Sequence, residues 1–389
     1  GTYTETFELQ PGIVVQGAPN HTSIIDGEGM RGQLVRATDS QVTNDAVLRG
    51  FKLINGNAGS SNGGALYIRD ASPRIENNIF ENNAGNRGGA ISLYNSSAML
   101  LGNTVFSNTA TEGSVHIRNY VESNEATLIQ NSIYSNTADY AGGLYSYGPV
   151  VIENNLIAGN ESGSSGGGLR VSHDATIRNN TIIGNTNEGF GGGGLYASGE
   201  NLMISGNMIA ENHGQKGGGV YLDVVDVRFV NNTIIDNTSD NVGGGVYVEG
   251  YSRVIDADFS GNVISNNASG GAGGGVYLGE DIDAIAFNNT MVVDNQAQGE
   301  GSGLRLSGRH VSLANTTIAR NTGGTQAGLW VVDANSYTGS SVVLTNTILV
   351  SHTIGIHVAD AASTVEMDAT LWGTDVWANE TDWSGPGTI

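Results

Sequence analysis

The chain has no cysteine, which removes disulfide staples and thiolate metal sites and leaves no trace of a redox compartment. Proline is scarce, at 5 in 389 residues, and lysine occurs only as Lys52 and Lys216. Against 16 Lys and Arg stand 38 Asp and Glu, a net charge of −22. That balance excludes nucleic acid as a partner and electrostatic attachment to anionic lipid. It also keeps a long β protein soluble. No apolar run approaches the roughly 18 residues of a membrane-spanning helix, so no membrane insertion is expected within this segment. The 3.6-residue period of an amphipathic helix is missing too, while short Val/Ile/Leu alternation is everywhere. No Walker loop, HExxH or Cys/His zinc spacing occurs, and GGGG at 191–194 is a repeat step, not a phosphate cradle.

Glycine is abundant instead, with 59 copies held in register with aliphatic strands. A small-residue step followed by an apolar–polar–apolar strand recurs twelve times, from GGALY (63–67) and GGAIS (88–92) through GGGVY (217–221, 243–247, 273–277) to IGIHV (354–358). The steps are 24 to 30 residues long. A period this regular predicts a solenoid of stacked coils, with the scatter taken up in loops. Two asparagine columns accompany it. The first reads Asn77, Asn103, Asn131, Asn155, Asn180, Asn207, Asn232, Asn262, Asn289, Asn315 and Asn346; the second starts at Asn55, Asn82 and Asn108 and continues to Asn321. Stacked about 4.8 Å apart, amides that both donate and accept can bond up the column and cap turning backbone.

Within a coil the pattern gives three strands: one after the glycine step, one before the first asparagine and one after it. The expected fold is an all-β parallel β-helix with three sheets around an aliphatic core, in 13 or 14 coils of about 26 residues. Residues 1–57 read as N-terminal coils, 58–358 as regular repeats, and 359–389 as a C-terminal coil or cap with Trp372, Trp377 and Trp383. The opening, already in strand alternation at residue 1, reads as a processed or excised segment. The steps GGAL and GGAI, with asparagine-rich strands such as NNIFENN (77–83), resemble the repeats of pectate-lyase-like β-helix proteins, most of all bacterial polymorphic outer-membrane proteins and related surface proteins. The resemblance covers nearly the whole chain and implies right-handed winding and an extracellular or bacterial cell-surface location. It says little about activity, because the superfamily holds lyases, glycosidases, esterases, tailspikes and non-catalytic adhesins.

Chemistry concentrates on the outward column of the glycine-step strand, which includes Tyr67, His116, Tyr145, Arg170, Tyr196, Tyr221, Tyr247, Tyr277, Arg305, Trp330 and His357. Read as a solvent-facing ladder, Tyr67, Tyr145, Tyr196, Tyr221, Tyr247, Tyr277 and Trp330 make a binding face for a polysaccharide or a surface protein. Read as packing, the same rings stack along the solenoid. The first reading gives a non-catalytic adhesin-like protein. A second gives a lyase on an acidic polysaccharide, with His116 or Tyr145 as base and Arg118 or Arg170 neutralising the carboxylate. A third gives a structural spacer or filament module. No cofactor is required; calcium is the one ion the acidic turns invite, at Asp223 and Asp226 or at Asp281 and Asp283.

Overall fold

In the computed structural model, one turn of the chain from Ile91 to Arg118 crosses four sheets. Ile91–Tyr94 lies in the glycine-step sheet, Met99–Leu101 in the sheet before the asparagine, and Thr104–Phe106 in the sheet after it. Thr109–Glu112 then forms a fourth sheet before Val115–Arg118 re-enters the first, one level on. Among the described residues the sheet pairings are parallel and mostly in direct register, for example Ile91↔Val115, Ser92↔His116 and Leu93↔Ile117, with one shift between Gly214 and Lys216. Each inward position therefore repeats itself down the stack. Leu66, Ile91, Val115, Leu144 and Leu169 are fully buried, as are Ile75, Ile152 and Ile177 on the second sheet.

The structure describes residues 1–249, 256–280, 282–325, 327–335 and 338–389. The chain divides into two units, Gly1–Gly189 and Phe190–Ile389, each a stack of such coils. In the first, the glycine-step sheet runs from Phe7–Glu8 to Leu169–Ser172; in the second, from Leu195–Gly199 to Thr381–Ser384. Among the described residues there is no α-helix, only two short 3-10 turns, and no helix long and apolar enough to cross a membrane. Segment 359–389 adds strands Thr364–Asp368, Leu371–Trp372 and Thr381–Ser384. Trp372 is half-buried, but Trp377 and Trp383 stay more than half exposed, so they do not pack as the cap expected of them.

The fourth sheet corrects the expectation of three. Its strands are two to five residues long and turn mostly small side chains inward, such as Ala110, Ala138 and Ser162 in the first unit and Ser239, Ser269 and Ala297 in the second, with Asn187 as a larger one. It runs tight against the glycine step. A Cβ on Gly89 would lie 2.4 Å from the Thr109 carbonyl oxygen, and one on Gly218 2.2 Å from that of Thr238. The step is therefore glycine because another backbone passes where a side chain would stand.

Both asparagine columns form hydrogen-bonded ladders. Asn103 donates its backbone N–H and its Nδ2 to Asn131 Oδ1, at 2.9 and 3.0 Å, and a second Nδ2 proton to the Ile75 carbonyl at 2.8 Å. Asn108, Asn136 and Asn160 repeat the motif in the second column. Preceding each ladder residue is one in the left-handed region, for example Gly102 (φ 65), Gln130 (φ 57) and Asn154 (φ 56), which gives the sharp bend between sheets. This shifts part of the expected columns. Asn77, Asn289, Asn315 and Asn346 are the left-handed residues, and the ladder passes through Asn78, Thr290, Thr316 and Thr347. In the same way Asn55 and Asn82 bend the chain, while Gly56 and Asn83 hold the ladder positions. Where asparagine follows asparagine, only the bend decides which one turns inward.

Candidate functional site

On the first unit, the outward column of the glycine-step sheet brings His116, Tyr145 and Arg170 together as expected, but not in the open. The fourth-sheet strand Thr109–Glu112 supplies the side chain that closes over it. His116 is 1% exposed, and its ring lies parallel to Tyr145, with centroids 5.1 Å apart. Its Nε2–H donates to Glu112 Oε2 at 3.1 Å, and Arg87 Nε donates to the same oxygen at 3.1 Å. These donors, His116 first, hold the Glu112 carboxyl at about 2. Burial holds His116 below its ordinary value, so it is the neutral Nε2–H tautomer, and its buried Nδ1 has no hydrogen-bond partner. Burial also pushes the Tyr145 hydroxyl up. Arg170 lies over the Tyr145 ring at 5.5 Å and donates to Ser165 Oγ at 2.5 Å. A general base must reach the proton it takes. His116 is sealed, and Tyr145 holds its proton more tightly than a free phenol does.

The open part of this face lies two residues further along the same strands. There Arg69, Tyr94, Arg118 and Tyr147 follow one another in register. The loop after Arg118 brings Tyr120 between them. Its ring lies 5.9 Å from that of Tyr94 at 67° and 5.6 Å from that of Tyr147 at 58°. Edge-on packing of this kind leaves ring faces uncovered, and Tyr120 is 53% exposed. Arg118 lies 5.3 Å from the Tyr120 centroid and 5.8 Å from that of Tyr147, and Arg69 lies 5.6 Å from that of Tyr94. His173 closes the row against Tyr147 at 4.4 Å. Sequence reasoning passed over Tyr120 because it belongs to no column. Its signal was the step of 29 residues, which places the extra length at 119–125.

On the second unit the tyrosine ladder is real and mostly self-satisfied. Tyr196, Tyr221, Tyr247 and Tyr277 follow at centroid spacings of 4.9, 5.0 and 5.2 Å. Arg305 covers Tyr277 at 4.4 Å, and Trp330 stacks on His357 at 3.9 Å. Each ring face is thus largely taken by its neighbour, and Tyr67 in the first unit is likewise half-buried. Tyr221 and Tyr247 both donate to Glu249 Oε2, at 2.7 and 2.9 Å. Burial, with that bond, drives the Tyr221 hydroxyl far above its usual value. Glu249, also missed as a ladder partner, is 6% exposed, with Lys216 at 3.8 Å.

The acidic turns do not converge. Asp223 and Asp226 stand on strands of different sheets. Asp226 lines a shallow concavity of about 620 Å³ with Met203, Arg228 and Asp258. Asp283 pairs with Arg309 at 3.0 Å, and Asp281 lies outside the described residues. Among the described residues no three His, Cys, Asp or Glu side chains come together to hold a metal.

Compared with known proteins, the chain matches no curated protein and no solved structure. A family model described as a right-handed β-helix region matches residues 63–223 and 120–290, together more than half of the chain. With parallel coils, stacked asparagines and a glycine step in every regular repeat, the chain belongs to the right-handed β-helix family.

Proposed function

We propose that this β-helix is a non-catalytic, adhesin-like module that binds glycans, and that its site is the open aromatic face around Tyr120. The observation that carries the reading is the edge-on cluster of Tyr94, Tyr120 and Tyr147, flanked by arginine. Its steps of 5.6 and 5.9 Å are on the scale of one pyranose ring. Sugars stack their C–H faces on such rings and take hydrogen bonds from guanidinium groups at the rim. The cluster is small beside the roughly 800 Å² per partner that a stable protein interface needs. The closed state of His116 supports binding over lyase chemistry. A glycan ligand also fits an extracellular or cell-surface location.

The test is titration calorimetry against a panel of neutral and acidic oligosaccharides. Tyr120→Ala should weaken binding by about tenfold, the upper range for one aromatic contact. Tyr221→Phe, in the stacked ladder, should leave it unchanged. Equal binding by wild type and Tyr120→Ala, or release of unsaturated product, would sink the proposal.

A further inference from the structure

Most of the cations around this face are already neutralised. Arg69 pairs with Asp70 at 3.2 Å, Arg74 with Glu76, and Arg87 with Glu112 at 3.1 Å. Arg118 is different: among the described residues no carboxylate lies within ion-pair distance, and Glu122 and Glu125 of the adjoining loop do not reach it. Glu112, on the strand that leads into the same coil's glycine step, is engaged by His116 and Arg87. The guanidinium lies against both the Tyr120 and Tyr147 rings, which hold it by cation–π contact without cancelling its charge. Its Nε is buried with no hydrogen-bond partner, while the half-buried side chain lies beside the exposed Tyr120 ring. An unpaired, oriented arginine on a chain of net charge −22 has little to do with solubility.

We infer that the glycan bound at the Tyr120 face is acidic, carrying a carboxylate or a sulfate, and that Arg118 reads that charge. The inference rests on the reading of this face as a glycan site. The paired Nη groups match the two oxygens of a carboxylate or two of a sulfate. Because the rings already hold the side chain, little rotamer freedom is lost on binding. Tyr120 supplies stacking for the sugar ring that bears the acid, and Arg118 supplies selection among sugars.

The experiment compares matched ligands on the full chain by calorimetry: a uronate oligosaccharide, its methyl ester, a sulfated oligosaccharide and its neutral parent. One charge-assisted bidentate contact should make the acidic member bind roughly tenfold to a hundredfold tighter than its neutral match. Arg118→Gln should erase that difference, while neutral binding falls by no more than the one rim hydrogen bond it loses. Arg118→Lys, keeping charge without the fork, should retain part of it. Methyl esterification tests the same point with the protein untouched. Which acid shows the preference decides between carboxylate and sulfate. Saccharides bound with no charge preference, or a preference that survives Arg118→Gln, would overturn this inference and leave the glycan reading standing. No binding by any saccharide would overturn both.

Discussion

Replacing Asn136 by alanine is expected to unzip the second ladder of the first unit at one level. Asn136 Oδ1 accepts from the backbone N–H and the Nδ2 of Asn108, both at 3.0 Å. Its Nδ2 donates to Asn160 Oδ1 at 2.9 Å and to the Val105 carbonyl at 3.0 Å. Asn108 Nδ2 keeps the Phe80 and Phe106 carbonyls as acceptors, and Asn160 Oδ1 keeps the Asn136 N–H. What alanine strands is one buried backbone donor, the Asn108 N–H, and one of the bonds to the Val105 carbonyl. At about 1–3 kcal/mol for each buried group left unsatisfied, the loss is about 2–6 kcal/mol. Asn136→Thr should cost less, because threonine serves the other ladder at Thr290, Thr316 and Thr347, its hydroxyl donating to a carbonyl at 2.8, 2.6 and 3.0 Å. Solenoids lose stability locally, so a global midpoint is the wrong readout. Native-state hydrogen exchange at the Asn108 amide reports the level directly. Unchanged protection there in Asn136→Ala, with a loss below about 1 kcal/mol, would refute the view that the ladder carries stability.

Further expectations follow from the second unit and from the bends. His352 stands in the ladder position of the second column, accepting from Asn321 Nδ2 at 3.2 Å and donating through Nδ1 to Asn379 Oδ1 at 3.3 Å. Burial holds it at about 4. The unfolded chain, near the ordinary 6.5, takes the proton first, so stability holds above pH 6.5 and falls as the pH drops towards 4, by about 3 kcal/mol at pH 4. His352→Asn should abolish that acid-side loss in hydrogen exchange around Asn321 and Asn379; an unaltered pH profile would show that His352 is not its source. Gly218→Ala should destabilise by several kcal/mol in denaturant titrations, since its Cβ would meet backbone of Thr238 and Gly244 at 2.2 to 2.5 Å. Gly159→Asn, at φ +55 with nothing within 4 Å, should be neutral or mildly stabilising, because asparagine fills the equivalent bend at Asn82 and Asn266.

How much of this was legible in the sequence depended on whether a residue repeats. The period, the inward aliphatic columns such as Leu66 to Leu169, and the asparagine stacking could all be read, because each coil states them again. The fourth sheet could not, since a two-residue strand such as Glu161–Ser162 with a small inward residue carries no hydrophobic alternation. Column phase failed at Asn77 and Asn78, where identical neighbours differ only in φ. Burial of the outward column also escaped notice. The fourth-sheet residue Glu112 belongs to another strand, and nothing local to His116 announces it. Tyr120, which occurs once in an insertion, has no copies to draw attention to it.

The two ladders have a direction. Within each unit the ladder bonds run from the amide of one coil to the oxygen of the next, as in Asn83 to Asn108 to Asn136 to Asn160, and in Asn212 to Asn237 to Asn267 to Asn295, whereas at the bends Asn346 Nδ2 donates back to Asn315 Oδ1. Aligned amides polarise one another, so each link strengthens its neighbours. Each level offers the next one the same donor and the same acceptor, which makes interior coils interchangeable. A gene segment encoding one whole coil, from bend to bend, can be duplicated or deleted and the flanking amides will still find partners. Adding or removing one residue inside a coil has no such remedy, because it turns a ladder asparagine outward and leaves two levels unlinked. The architecture is thus forgiving in copy number and strict in frame, and variation in its length should come in units of about 26 residues.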